Sequence, residues 1–257
     1  MGLTINTNLS AAYIGIFAGR NSSNLLSSLE KLSSGLAINR ASDNPAGLVI
    51  SEQLRSRISS LNQEIENTSA MINKYQTASS TVMEMRSHLT EMRTLAIAAS
   101  NEGVNDEAAQ SAYQTTADHL VSTYNRSLDL ATYNGSPLLD GSESAVAEVS
   151  ELENLDLSSA EAAAASIEAI DEAISELDSV QGELGAVQAN ELESRRNSLE
   201  ITSQNLQAAE SMLRDTDYAK EYSSAVASII QLRASAAMLA HSYVQADSIL
   251  SMLEASK

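Results

Sequence analysis

The sequence predicts an all-α protein with long helices in an elongated bundle, paired N- and C-terminal coiled-coil helices and a small β-hairpin region near the chain middle. Composition is the first observation behind this class, since 257 residues include only two prolines and ten glycines, which leaves little material for turns. There is also one Phe and no Trp, whereas a compact enzyme core normally draws on more aromatic surface. The second observation is the helical spacing of apolar residues towards both chain ends.

Apolar residues near the C-terminus follow an alternating spacing of four and three. They are Tyr218, Tyr222, Ala225, Ile229, Leu232, Ala236, Leu239, Tyr243, Ala246, Leu250 and Leu253. A repeat averaging 3.5 residues is the seam of a helix that packs along another helix. Such a helix would be about 50 Å long, and an apolar stripe of that length needs a partner.

The N-terminal region offers this partner. Its seam, interrupted by the polar stretch NSSN, consists of Ile5, Leu9, Ala12, Ile16, Leu25, Leu29, Leu32 and Leu36. Both terminal stretches are amphipathic and of similar length, so we infer that the two ends of the chain pair.

A joint interrupts the helical pattern between Leu32 and Ser51. Its poor helix formers are Gly35, Asn39, Asp43, Asn44 and Pro45. Gly35 is expected to take a backbone conformation that side chains disfavour, with Asn44 capping the next helix and Pro45 in its first turn. A second joint lies at RDTD, with Asp215 and Asp217, where too few ligands exist for a calcium loop and helix capping is expected.

The residues between the joints predict an inner bundle. Long helical seams run from Pro45 to Ala99 and from a cap at Asn105 or Asp106 onward, followed by turn signals at Asn134-Gly135 and Asp140-Gly141. Helix resumes at SSAE, where Ser158 and Glu161 have capping-box spacing. If the chain folds back near residues 135–160, the joints lie side by side. The predicted domains are an inner terminal-helix domain, 1–44 plus 215–257, and an outer helical bundle, 45–214, with a hairpin around 132–157.

Several functional classes are disfavoured. The net charge of −19 argues against a nucleic-acid partner, because that affinity comes from clustered Lys and Arg. There is no cysteine, and the histidines His88, His119 and His241 have no common spacing. We expect no catalytic, cofactor-binding or metal site and no cleaved signal peptide, and the chain is not expected to be an enzyme. No stretch is expected to approach the roughly 18 apolar residues that a membrane span needs.

Five segments carry a resemblance to a known family. LSSGLAINRASDNPAGLVISEQLRSRI (Leu32 to Ile58) resembles the joint and second helix of bacterial flagellins, and INTNLSAA resembles their N-terminus. TYNGSPLLDG resembles their hairpin, LGAVQ their returning helix and AAESMLRDTDYAKE their second joint. The resemblance covers roughly the first 140 and last 90 residues, in the same order. The alternative within the same superfamily is the hook–filament junction protein, whose usual joint, PSDDP, differs from ASDNPAGL.

The resemblance implies a structural subunit that polymerises with itself into the extracellular bacterial flagellar filament, with little beyond the polymerising core. It also implies secretion through the flagellar channel, an export chaperone, and contacts with hook-associated and cap proteins. Subunit contacts are expected on the terminal seams, at Ile5, Leu9, Ile16, Leu29, Leu32, Tyr218, Tyr222, Ile229, Leu232, Leu239, Tyr243, Leu250 and Leu253. No cofactor, nucleic acid or membrane is implied.

A segment of the second helix resembles the surface that an animal Toll-like receptor recognises on some flagellins. The candidate receptor-facing residues are Leu89, Glu91, Arg93 and Leu95. The recognised proteins carry Arg where this chain has Glu91, and a charge reversal at a contact typically costs a few kcal/mol. Because of this departure, the resemblance does not extend to recognition by the receptor.

Overall fold

The computed structural model describes residues 8–101, 105–142, 145–153 and 155–255. Its helices are α1 (Leu9–Ser34), α2 (Pro45–Ala99), α3 (Glu107–Leu130), α4 (Ala160–Ala186), α5 (Ser194–Arg214) and α6 (Tyr218–Ala255). A π-helical segment, Val187–Glu193, joins α4 to α5. The strands β1 (Thr132–Tyr133) and β2 (Ser136–Pro137) form a small antiparallel hairpin. The predicted helical class with a mid-chain hairpin is confirmed.

The chain divides into two compact units. The terminal unit combines the residues up to Ser59 with those from Gln204 onward, and the central unit runs from Ser60 to Ser203. These divisions fall within α2 and α5, whereas the boundaries predicted from the sequence, at 44/45 and 214/215, fall at the joints. The predicted domain boundaries at the joints therefore stay a prediction.

The central unit is built around the apolar faces of α2, α3 and α4. Its largest fully buried side chains include Met85, Leu89 and Met92 of α2, and Leu177 and Leu184 of α4. Ion pairs along the rim join the same two helices: Arg86 Nε lies 2.6 Å from Asp178 Oδ1, and Arg93 Nε lies 2.5 Å from Asp171 Oδ1. α2 and α4 are therefore antiparallel.

Side-chain amides of α3 hold the segment that leads into α4. Gln114 donates from Nε2 to the Leu155 carbonyl at 2.7 Å and accepts at Oε1 from the Leu157 backbone N–H at 2.6 Å. Asn125 makes the equivalent pair of bonds to the backbone of Leu152, each 3.0 Å long. These bonds satisfy backbone groups that have no strand partner, so Leu155 and Leu157 can be buried in the core.

Local geometry explains the turn and cap positions. Asn134 and Gly135 both have positive φ, at 52° and 80°, as the two-residue turn of the hairpin requires. Of the two predicted caps for α3, Asp106 is the residue used, and its carboxylate accepts from Ala109 N–H. The predicted cap of α4 is wrong by one residue, because Ser159 accepts from Ala162 N–H while the N–H of Ser158 is held by Asp156.

Candidate subunit interface and joint

The two joints meet as a short antiparallel bridge between Leu36 and Asp215. The Ala37 N–H donates to the Arg214 carbonyl at 2.6 Å, and the Thr216 N–H donates to the Gly35 carbonyl at 2.9 Å. The residues between α1 and α2 are thereby tied to those between α5 and α6. The structure thus brings together the two joints that the sequence placed side by side.

Gly35 ends α1 in the left-handed conformation, with φ of 74°. Its N–H donates to the Lys31 carbonyl at 2.9 Å, which satisfies one of the last carbonyls of the helix. A β-carbon at this position would also lie 3.0 Å from the Tyr218 hydroxyl oxygen. The joint therefore needs glycine both for its backbone angle and for the approach of α6.

Asp43 organises the loop between Gly35 and α2. One carboxylate oxygen accepts from the backbone N–H groups of Arg40 at 2.9 Å and Asn39 at 3.1 Å. These bonds, the Arg40 bond above all, lower the pKa of the Asp43 carboxyl below its ordinary value. Asn39 adds a bond from Nδ2 to the Leu36 carbonyl at 3.0 Å. The loop is therefore a hydrogen-bonded turn of defined shape.

Asn44 and Pro45 start α2 in the predicted manner. Asn44 Oδ1 accepts from the Gly47 N–H at 2.9 Å, and Pro45 is the first helical residue, where an N–H would have no intrahelical partner. A β-carbon at Gly47 would lie 2.5 Å from Asn44 Nδ2 and 2.8 Å from Ile38 Cδ1. The absence of a side chain at Gly47 lets the buried Ile38 pack against the start of the helix.

The acidic residues of the second joint act on helix ends. Asp217 Oδ1 accepts from the backbone N–H groups of Ala219 and Lys220, at 3.0 and 3.1 Å, and so caps α6. The Asp215 carboxylate accepts from the Ser211 hydroxyl at 2.6 Å. Within the described ranges, no group of three or more His, Cys, Asp or Glu side chains is placed to hold a metal ion.

Arg214 ties the second joint to α2. Its Nη1 lies 2.7 Å from Glu52 Oε1, and its side chain is largely buried. The hydrogen bond from Arg214 lowers the pKa of Glu52. Arg55, one turn along α2, also contacts Glu52 but remains exposed. Arg214 is thus the more sheltered of the two partners.

The terminal helices α1 and α6 pair antiparallel. Asn8 donates from Nδ2 to the Ser242 hydroxyl at 2.9 Å at one end, and Gly35 lies against Tyr218 at the other. Among the side chains of the pair that the structure describes, the buried ones are small: Ala11, Ser28, Ala225, Ser228 and Ser235. Small side chains let two helix backbones approach closely, so the pair buries little of its large apolar surface.

The same helices also expose many large apolar side chains. Ile16 is 54% exposed, Tyr222 65% and Ile230 61%. The other exposed members are Leu9, Tyr13, Phe17, Leu26, Leu29, Tyr218, Val226, Met238, Tyr243, Val244 and Met252. We call this set the outer apolar face. So many exposed large apolar side chains on one pair of helices mark a surface that interacts with other chains.

The predicted terminal seams mix half-buried and exposed positions. Leu32, Ile229, Leu232 and Leu239 are half-buried, whereas Leu9, Ile16, Leu29, Tyr218, Tyr222 and Tyr243 are exposed. Ile5 lies outside the described residues, and so do the side chains of Leu250 and Leu253. The prediction that these seam residues form the contact between α1 and α6 is wrong at the exposed positions, because smaller residues occupy the buried contact positions between the two helices. Their part in subunit contacts stays a prediction.

The composition of α6 also corrects an expectation. Among the described residues one stretch, Tyr218–Val244, is long and apolar enough to cross a membrane by length and composition alone. The expectation that no stretch reaches this threshold was wrong. α6 packs along α1. A helix that packs along another helix can meet this criterion of length and apolar composition without crossing a membrane.

Comparison with known protein families decides the relationship. The model of the bacterial flagellin N-terminal helical region matches residues 5–144, and that of the C-terminal helical region matches residues 167–253. The chain belongs to the flagellin family. Both joints, the whole of α1 and α6 as far as residue 253 lie within the matched regions.

Individual relatives agree with this assignment. A flagellin of Halalkalibacterium halodurans is 37% identical over 98% of this chain and 100% of its own length. A flagellar filament 30.7 kDa core protein of Treponema maltophilum is 29% identical over 98% of this chain and 100% of its own. A flagellin of Clostridium tyrobutyricum is 41% identical over 55% of this chain and 37% of its own length. This flagellin-family chain thus spans the whole of two relatives and about a third of the other.

The candidate receptor-facing residues of this family member do not share one surface. Leu89 is fully buried among the core side chains of the central unit, so its assignment to an exposed surface is corrected. Leu95 is partly buried against the same core, and Arg93 is paired with Asp171. Glu91 is exposed. Leu89 is buried because it continues the heptad spacing of Met85 and Met92 on α2.

Proposed function

We propose that this chain is a structural subunit that polymerises with copies of itself into the bacterial flagellar filament for motility. The observation that carries the proposal is the outer apolar face of α1 and α6. These helices pack against one another through small residues, yet they leave Ile16, Tyr222 and Ile230 exposed. A second copy of the same chain offers a surface of matching chemistry, and repeated contacts of this kind build a polymer.

The alternative, a hook–filament junction protein, has less support. The family models describe flagellin, and the relatives named above are flagellins or filament core proteins. The abundance of the chain would separate the two functions. In flagella sheared from cells, a filament subunit is the main protein, whereas a junction protein is a trace component.

The family resemblance supports further parts of the proposal. We place the chain outside the cell after secretion through the flagellar channel, and we propose an export chaperone and the hook-associated and cap proteins as partners. Flagellins are a structural protein family, so we assign the chain no catalytic role and no cofactor, nucleic-acid or membrane partner.

The proposal is tested by polymerisation of the purified chain on short filament seeds. Wild type and Ser224→Asp are expected to form filaments, since Ser224 is exposed, is not one of the large apolar side chains, and bonds within α6 to the Lys220 carbonyl. Ile230→Asp is expected to stay monomeric with unchanged helicity, because an unpaired carboxylate in a packed interface costs several kcal/mol per subunit. Electron microscopy and sedimentation give the readout. Failure of the wild type to extend seeds would contradict the function, and wild-type filaments from Ile230→Asp would contradict the proposed face.

A further inference from the structure

The helix between Ala160 and Arg214 changes its hydrogen-bond pattern once. Over the seven residues Val187–Glu193 it is π-helical, with i→i+5 bonds, and both flanks are α-helical. The backbone does not break there, since Ala186 and Ser194 both have right-handed helical angles. A π-helical stretch is rare in proteins and has an identifiable cause.

The spacing of buried residues changes at the same place. Upstream, Leu177 and Leu184 are seven residues apart and fully buried, as one face of an α-helix requires. Continued by seven, this pattern would bury Glu191, which is exposed. The next buried residue is instead Leu192, eight positions after Leu184. One residue is surplus to the pattern between the two leucines.

The geometry of the π-helix absorbs this residue. An α-helix turns about 100° per residue, so eight steps would leave Leu192 about 80° away from the direction of Leu184. A helix with i→i+5 bonds turns only about 82° per residue. With Val187 to Leu192 in that form, the accumulated rotation brings Leu192 to within about 10° of the direction of Leu184.

Both flanks need the same direction because both face α2. Upstream, Gln181 Nε2 donates to Ser79 Oγ at 2.7 Å. Downstream, Ser203 Oγ bonds to Asn62 Oδ1 at 3.0 Å. α2 is one uninterrupted α-helix from Pro45 to Ala99. The change in helical rotation that keeps both flanks facing α2 therefore occurs in the opposite helix, between α4 and α5.

We propose that the π-helical segment is a phase-correcting device that accommodates one surplus residue between Leu184 and Leu192. Removal of the surplus residue converts α4, the π-helical segment and α5 into one continuous α-helix, in which the buried residues on both sides still face α2. The segment is thus a place where the chain length of a central helix can change by one residue at little cost.

The test deletes one small exposed residue at either of two places in the full-length monomer. Deletion of Ala189 removes the surplus residue. Deletion of Ser175 in α4 is the matched control. Ile170 and Leu177 are both fully buried, and this deletion would rotate one away from the direction of the other by about 100°. We expect the thermal midpoint to stay within about 2 °C of wild type, or to rise, for the Ala189 deletion, and to fall by roughly 10 °C for the control.

Hydrogen exchange supplies a second readout. Peptides covering residues 187–193 are expected to become better protected after deletion of Ala189, because α-helical hydrogen bonds replace the π-helical ones. The proposal is overturned if the Ala189 deletion lowers the midpoint by more than half of the control's fall, or if exchange in this region becomes faster.

Discussion

The Thr216 N–H donates to the carbonyl oxygen of Gly35, so the residue that ends α1 also binds the backbone of the segment that leads into α6. Gly35 stands in the left-handed region and its α-carbon faces the Tyr218 hydroxyl. Three demands therefore meet at one residue: ending a helix, accepting a bond from the second joint and leaving room for the first turn of α6.

Gly35→Ala is expected to destabilise the terminal unit. A non-glycine residue in the left-handed region costs about 1–2 kcal/mol, and the added methyl group would press on Tyr218. Hydrogen exchange of α1 peptides in the monomer measures the change as faster exchange. Gly15→Ala is the matched control, because Gly15 lies inside α1 with open space around its α-carbon, and alanine there should stabilise the helix by about 0.5–1 kcal/mol. Equal effects of the two substitutions would contradict the role of Gly35.

The Asp43 turn is expected to loosen in acid. Its pKa is lowered in the folded chain, so its contribution to stability is present above the ordinary value of 3.8 and is lost as the pH falls through the lowered pKa. The NMR shifts of the Asn39 and Arg40 amides should follow this titration, with a midpoint below 3.8. In Asp43→Asn, where the side chain cannot ionise, the same amides should not titrate in this range. A wild-type midpoint at or above 3.8 would be the opposite of what the bonds require.

Tyr124 is expected to limit stability in alkali. Burial, with the charge of Glu176 as a smaller cause, raises the pKa of Tyr124 from 10.0 to about 12. Its contribution is therefore complete below pH 10 and is lost as the pH rises through 12. Tyrosinate absorbance should show a late component near the midpoint of alkaline unfolding, and Tyr124→Phe should remove it. An unchanged late component in that variant would assign it to another tyrosine.

Gln114→Leu is expected to destabilise the central unit by about 2–4 kcal/mol, because it leaves the Leu155 carbonyl and the Leu157 N–H without their side-chain partner. Urea unfolding of the monomer measures the change. Gln76→Leu, at an exposed position of α2, makes the same chemical change away from this contact and should shift the midpoint little. A similar loss for both variants would show that the amide contact is not responsible.

The joints are the part of the site that the sequence predicts well. Gly35, Asn44, Pro45 and Asp217 have local roles set by backbone angle, missing N–H groups and short-range capping, and each is found in the expected role. The adjacency of the joints follows from one fold-back of the chain. Such features depend on few residues and therefore leave a readable pattern.

The line of contact between α1 and α6 is harder to predict from the sequence, because large apolar residues lie on several sides of both helices. The heptad pattern favours large residues such as Ile16 and Leu29, but the structure buries the small Ser28 and Ser235. Serine looks polar in a sequence pattern, although its size permits close helix packing and its hydroxyl can bond to the preceding turn, as Ser235 does with Gln231. The surplus residue before Leu192 did leave a signal, the eight-residue step from Leu184.

The pairing of Asn8 with Ser242 joins residues 234 positions apart. The central unit, by contrast, is one continuous stretch of chain from Ser60 to Ser203. During synthesis the central unit can fold while α6 is still being made, but α1 has no partner until translation is nearly complete. A nascent chain truncated before α6 therefore contains a folded central unit and an α1 without its partner helix. The last folding step can occur only after α6 has been synthesised.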